Sequence, residues 1–140
     1  MAMPGNEGKV DSLETGRCRA EVTQHAPGVL ATRIEGHADL AVARFYIARA
    51  QREMLTGKLL RVFHDWSGMT GYDPDAREAI RAFGAGNDDT RVRVHVLVRS
   101  KIVSMALQTA SLVMRREFHA TSDAAVFTRW LHQALREGPP

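Results

Sequence analysis

A single cysteine, Cys18, rules out a disulfide within the chain and any multi-cysteine zinc site. No apolar run approaches the roughly 18 residues that a membrane helix needs. The opening MAMPGNEGKVDSLETG lacks an apolar signal core, so no export signal is expected and the cytoplasm is the expected compartment. Nor is there a large charge excess: 19 basic and 16 acidic residues leave a formal charge of +3. The basic residues Arg91, Arg93, Arg99, Lys101, Arg115 and Arg116 concentrate in one region, but no aromatic stacking platform sits beside them. A solvated face explains them better than nucleic-acid binding.

What is present suits one α/β domain. The chain has 140 residues, of which 44% are hydrophobic, enough to fill a core of ordinary size. Residues 1–16 and 138–140 read as tails around a domain spanning 17–137, because Gly, Pro and charge dominate the first stretch. Arg17 to His25 and Val29 to Glu35 read as strands joined by the Ala26-Pro27-Gly28 turn, which predicts an antiparallel hairpin. Gly36 is the expected end of the second strand. A helix from about Ala38 to Leu55 follows, with an apolar stripe of Leu40, Ala43, Ile47, Ala50 and Met54.

Leu59 to His64 is compact and apolar, the pattern of a strand buried on both faces. Pro74 and Asp75 open a second helix, for which Asp73 is the expected N-cap. Val92, Val94, Val96 and Val98 alternate through Arg91 to Val98, so they share one face of a strand. Helical spacing then covers about Lys101 to Met114, a short strand Glu117 to Ala120, and a last helix Asp123 to Arg136. Phe127, Trp130 and Leu131 are the residues expected to anchor that helix. The order predicts an N-terminal hairpin and a mixed, largely parallel sheet packed with about four helices.

Between Leu59–His64 and the second helix lies the stretch FHDWSGMTGYDPDAR, from Phe63 to Arg77. A hydrolase would need Ser67, His64 and an aspartate such as Asp65 or Asp73 to converge. Adjacent strand residues point to opposite faces, and Ser67 lacks the G-x-S-x-G elbow. Ser67 is better read as a turn serine, and no enzyme activity is expected. The histidines at 25, 37, 64, 95, 119 and 132 form no i, i+4 pair, so no metal or cofactor is expected. Gly84-Ala85-Gly86 follows a helix, the wrong context for a phosphate loop. Trp66, Met69 and Tyr72 read as residues of a glycine-punctuated loop. They would either contact a partner or plug one end of the sheet.

The element order, FHDWSGMTGYDPDAR, VHVLV and the ending EFHATSDAAVFTRWL together resemble the STAS domain (sulfate transporter and anti-sigma-factor antagonist). The closer resemblance is to its SpoIIAA-like branch, sometimes grouped with Sec14-type lipid-binding domains, and it covers Cys18 to Leu135. Phosphorylatable members carry an Asp-Ser-Ser-Gly-type motif where this chain has Asp73-Pro74-Asp75-Ala76. Asp73 matches, whereas Pro74 and Asp75 replace the serines. The resemblance therefore implies a non-catalytic regulatory module without the usual phosphate acceptor. Its implied partner is a protein, such as a regulatory kinase or signalling protein, and a homodimer would also fit. Trp66, Met69 and Tyr72 would be apolar anchors, with Asp73, Asp75 and Arg77 as polar contacts. The alternative implied by the Sec14 relationship is a domain that binds a lipid or small apolar ligand.

Overall fold

Pro27 and Gly28 turn the chain sharply enough to pair β2 (Cys18–Ala26) with β3 (Val29–Ala38) in antiparallel register. Gly28 has φ 80°, and a Cβ there would lie 2.6 Å from the Leu59 carbonyl oxygen, so the turn requires glycine. The structure, a computed structural model, describes residues 9–57, 59–86, 92–101, 103–105 and 117–137.

Part of the expected tail is a strand. β1 (Lys9–Glu14) pairs antiparallel with β2, Leu13 standing opposite Ala20. Its charged residues Lys9, Asp11 and Glu14 obscure the strand signal, yet charge is what an edge strand carries to discourage further pairing. Thr15 and Gly16 belong to the connection to β2, where the Thr15 N–H donates to the Cys18 carbonyl, and residues 1–8 and 138–140 of the expected tails lie outside the described residues.

β4 (Leu60–Tyr72), β5 (Val92–Val98) and β6 (Glu117–Thr121) complete a six-stranded sheet in the order β1-β2-β3-β4-β5-β6. The pairs from β3 onward are parallel, so the sheet is mixed, as the element order predicts. Parallel neighbours need crossovers, and the general right-handed rule for such connections puts the helices of successive ones on the same face. α1 (Leu40–Met54) and α2 (Pro74–Gly86) are such connections. The last helix, Ala124–Glu137, follows the edge strand and covers the other face. Of the helix expected from Lys101, residues 101 and 103–105 are helical, and Ser100 Oγ accepts the Val103 N–H. The remainder of that expectation lies outside the described residues.

Each face has its own core. Val92, Val94, Val96 and Val98 pack with Leu30 and Val62 of the sheet and with Val42 of α1 on one face. Phe63, Val29 and Leu97 meet Phe127 and Ala134 on the other, with Trp130 and Leu131 packed around them. Each fully buried Val, Leu or Phe stabilises the fold by about 1.5–3 kcal/mol.

Two buried charges tie these layers together. Glu53, 4% exposed near the end of α1, accepts bonds from Gln24 Nε2, the Gly28 N–H and Arg49 Nη1 at 3.0–3.1 Å. The turn between β2 and β3 is thereby fixed to α1. Arg61 on β4 donates to the Ala134 carbonyl at 3.0 Å, satisfying an acceptor near the end of the last helix.

Candidate functional site

β3 and β4 run further than local sequence suggests. Gly36 does not end its strand: it takes φ 100° and passes through a register shift, so that β3 continues to Ala38. β4 likewise passes through the whole of WSGMTGY, with Glu35 opposite Gly68 and His37 opposite Gly71. The expected loop is therefore strand. Its glycines and hydroxyl residues imitate a turn locally, but pairing with β3 keeps the backbone extended.

This changes the setting of the three large side chains. Met69 is 6% exposed and belongs to the core, while Trp66 and Tyr72 are partly buried and pack against that core. Met69 is thus enclosed by its own fold and presents little surface to a partner. Trp66 and Tyr72 keep part of theirs.

The carboxyl ends of β3 and β4 lie beside the turn that joins β1 to β2, where a charged cluster forms. Arg17 Nη1 and Nη2 each donate to Asp73 at 3.0 Å, one to each carboxylate oxygen. His37 Nε2 donates to Asp73 Oδ1 at 2.8 Å. Backbone bonds hold the same groups: the His37 N–H donates to the Arg17 carbonyl, and the Asp73 N–H to the Ala38 carbonyl. Bonds from Arg17, then from His37, keep the Asp73 carboxyl below its ordinary pKa of 3.8.

Asp73 occupies the N-cap position by its backbone, since its carbonyl accepts the Arg77 N–H at 3.1 Å. Its carboxylate, expected to cap α2, instead serves Arg17 and His37. Beyond it, Pro74, Asp75, Arg77 and Glu78 are exposed, and Ala76 turns inward to burial. Asp75 and Arg77 thus stand on the outer surface of the first turn. Of the residues expected here, the structure brings Asp73 into the cluster and leaves Asp75 and Arg77 outside it, and it adds Arg17 and His37, which the sequence reading did not single out. The one sequence clue to those two was their position at the ends of neighbouring strands.

The remaining residues of FHDWSG separate by face. Asp65 Oδ1 accepts both the Ser67 N–H at 3.1 Å and the Ser67 hydroxyl at 2.6 Å, so the serine expected in a turn lies within β4 and its hydroxyl bonds a neighbouring side chain. His64 is buried under α1, its Nδ1 2.7 Å from Thr32 Oγ1. Its ring stacks on Trp66 and meets Tyr46 edge-on. Burial, with a lesser push from His95, lowers the His64 pKa from 6.5 to about 3. His95 pairs with Phe63 and stacks on it, on the face of the last helix, so His64 and His95 do not converge.

No protein-family model and no curated protein matches the chain. Among solved structures, the chain is similar to an uncharacterized protein of the DUF3478 family with a SpoIIAA-like fold, from Shewanella loihica PV-4. The match has a TM-score of 0.61 at 13% identity and covers 88% of this chain and 92% of that one. Among the described residues no helix is long and apolar enough to cross a membrane. The sheet order, the helix layers and this likeness agree, and the chain has the SpoIIAA-like α/β fold that its sequence resembles.

Proposed function

We propose that this chain is a non-catalytic, cytoplasmic regulatory module of the STAS type that recognises a protein partner at the start of α2. The supporting observation is the anchored cluster of Arg17, His37 and Asp73. It fixes the backbone from which Asp75 and Arg77 project, so little ordering remains to be done on binding. Tyr72, next to Asp73, supplies apolar surface at the same end of the sheet, and Trp66 adds more further back along β4. The partner is a kinase or another signalling protein.

Pro74 and Asp75 leave the matched position without a hydroxyl, so this surface is not switched by phosphate there. Asp75 carries one negative charge where phosphoserine would carry about −1.5 to −2. The recognition state is accordingly a standing one, with Asp73 already neutralised by Arg17.

Photo-crosslinking in the native cell tests this directly. A benzophenone side chain at position 77 should yield one dominant protein adduct. The same group at position 33, on the exposed polar face of β3, should not. Adducts from position 33 alone, or equal yields at the two positions, would refute the surface. Phosphate found on Ser67, Thr70 or Tyr72 after treatment with the captured kinase, with loss of the adduct at position 77, would refute the unswitched state.

A further inference from the structure

His95 and His119 stand directly opposite each other on the parallel strands β5 and β6. Residues opposite in neighbouring strands send their side chains to the same face. The sheet therefore does for these two what i, i+4 spacing does on a helix. Their ring centroids are 5.2 Å apart and the ring planes differ by 21°. Phe63 of β4, the strand on the other side, stacks on His95 at 4.5 Å. Trp130 of the last helix meets His95 at 5.5 Å and His119 at 5.9 Å. His95 is thus held among three rings, while His119 is exposed to solvent.

We infer that His95 and His119 together bind a divalent transition-metal ion, with Cu(II) preferred. Imidazole is the commonest side-chain ligand for such ions. Two imidazoles on one ion, with bonds of about 2.0–2.1 Å, hold their ring centres about 4.5–5 Å apart. The pair already stands near that spacing, and a turn of the exposed His119 ring aims its nitrogen at the shared position. Phe63 and Trp130 hold the His95 ring in place, so one ligand is ordered in advance. Among the described residues no third histidine, cysteine or carboxylate joins the pair, and water can fill the other coordination positions. Arg93 lies two residues before His95 on the same face of β5, and its charge opposes a cation there. That opposition favours the ion with the strongest bond to nitrogen. Affinity rises through Ni(II) to Cu(II) and falls at Zn(II), whereas Mg(II) takes oxygen ligands. The pair lies on the face of the last helix and α1 packs on the other, so this inference is independent of the partner surface at the start of α2.

Calorimetric titration of the untagged full chain with Cu(II), Ni(II), Zn(II) and Mg(II) salts tests the site. Cu(II) should bind most tightly and Mg(II) should not bind. The electron paramagnetic resonance spectrum of the protein with equimolar Cu(II) should show coupling to two imidazole nitrogens. His119→Gln, at an exposed position, should weaken Cu(II) at least about tenfold with an unchanged melting temperature, because the second imidazole closes the chelate within one molecule. His132→Gln, at an exposed position of the last helix, should leave the affinity within about twofold of the wild type. A spectrum with coupling to fewer than two imidazole nitrogens would overturn the inference. So would a His119→Gln chain that binds Cu(II) as tightly as the wild type, or equal losses in the two variants.

Discussion

Acid should destabilise this protein through His64 before its carboxylates titrate. The folded-state pKa, about 3, lies below the ordinary 6.5, so the unfolded chain takes up a proton that the folded chain refuses. The corresponding stability is fully present above pH 6.5 and falls steadily as pH drops towards 3. Integrating one proton between those values gives a loss of about 2 kcal/mol by pH 5 and about 3 kcal/mol by pH 4. His64→Asn isolates the effect. It offers an oxygen near the position of Nδ1 for Thr32 and does not titrate.

The variant should be less stable at pH 7 by about 2–4 kcal/mol, for the lost ring contacts and the space left behind. Between pH 7 and pH 5 that gap should narrow by about 2 kcal/mol, because only the wild type pays the proton penalty. Urea unfolding at each pH, followed by circular dichroism and extrapolated linearly, reads the gap. Other acid-sensitive groups are common to both proteins and cancel. A gap that stays constant from pH 7 to pH 5 would refute the reasoning, because His64 would then titrate alike in both states.

Three further outcomes follow from the contacts. Glu53→Gln removes the charge that faces Arg49 inside the turn clamp and should cost about 1–3 kcal/mol in urea unfolding, while an unchanged midpoint would contradict the clamp. Arg17→Met should raise the Asp73 carboxyl pKa towards its ordinary 3.8, as read by carbon NMR titration, and an unmoved value would discount Arg17 as the main cause. Gly28→Ala should cost about 1–3 kcal/mol, because alanine must enter a left-handed conformation against the Leu59 carbonyl, and a neutral effect would contradict that.

The features legible in the sequence were those with a local period or a local cap. The alternating valines of β5, the apolar residues of the last helix and the Pro-Gly turn each express their structure within a few residues. β4 was legible only to His64. Beyond it, the signals for strand reside in β3, where Glu35 and His37 face Gly68 and Gly71. The cluster around Asp73 escaped for the same reason, since Arg17 lies 56 residues away and His37 lies 36 away. No spacing rule joins them; the sheet does. The choice between contact and plug for Trp66, Met69 and Tyr72 also needed tertiary structure, and it divides them. Met69 packs inside, while the other two remain partly at the surface.

Reading of the start of α2 by a protein partner can be measured once the crosslinked partner is in hand. Calorimetry should give its dissociation constant for the wild type and for a variant combining Asp75→Lys with Arg77→Glu, both changes at exposed positions. The double change should weaken binding at least about tenfold, equivalent to about 1.4 kcal/mol, with an unchanged melting temperature. An affinity within about twofold of the wild type, in a variant that folds normally, would contradict it.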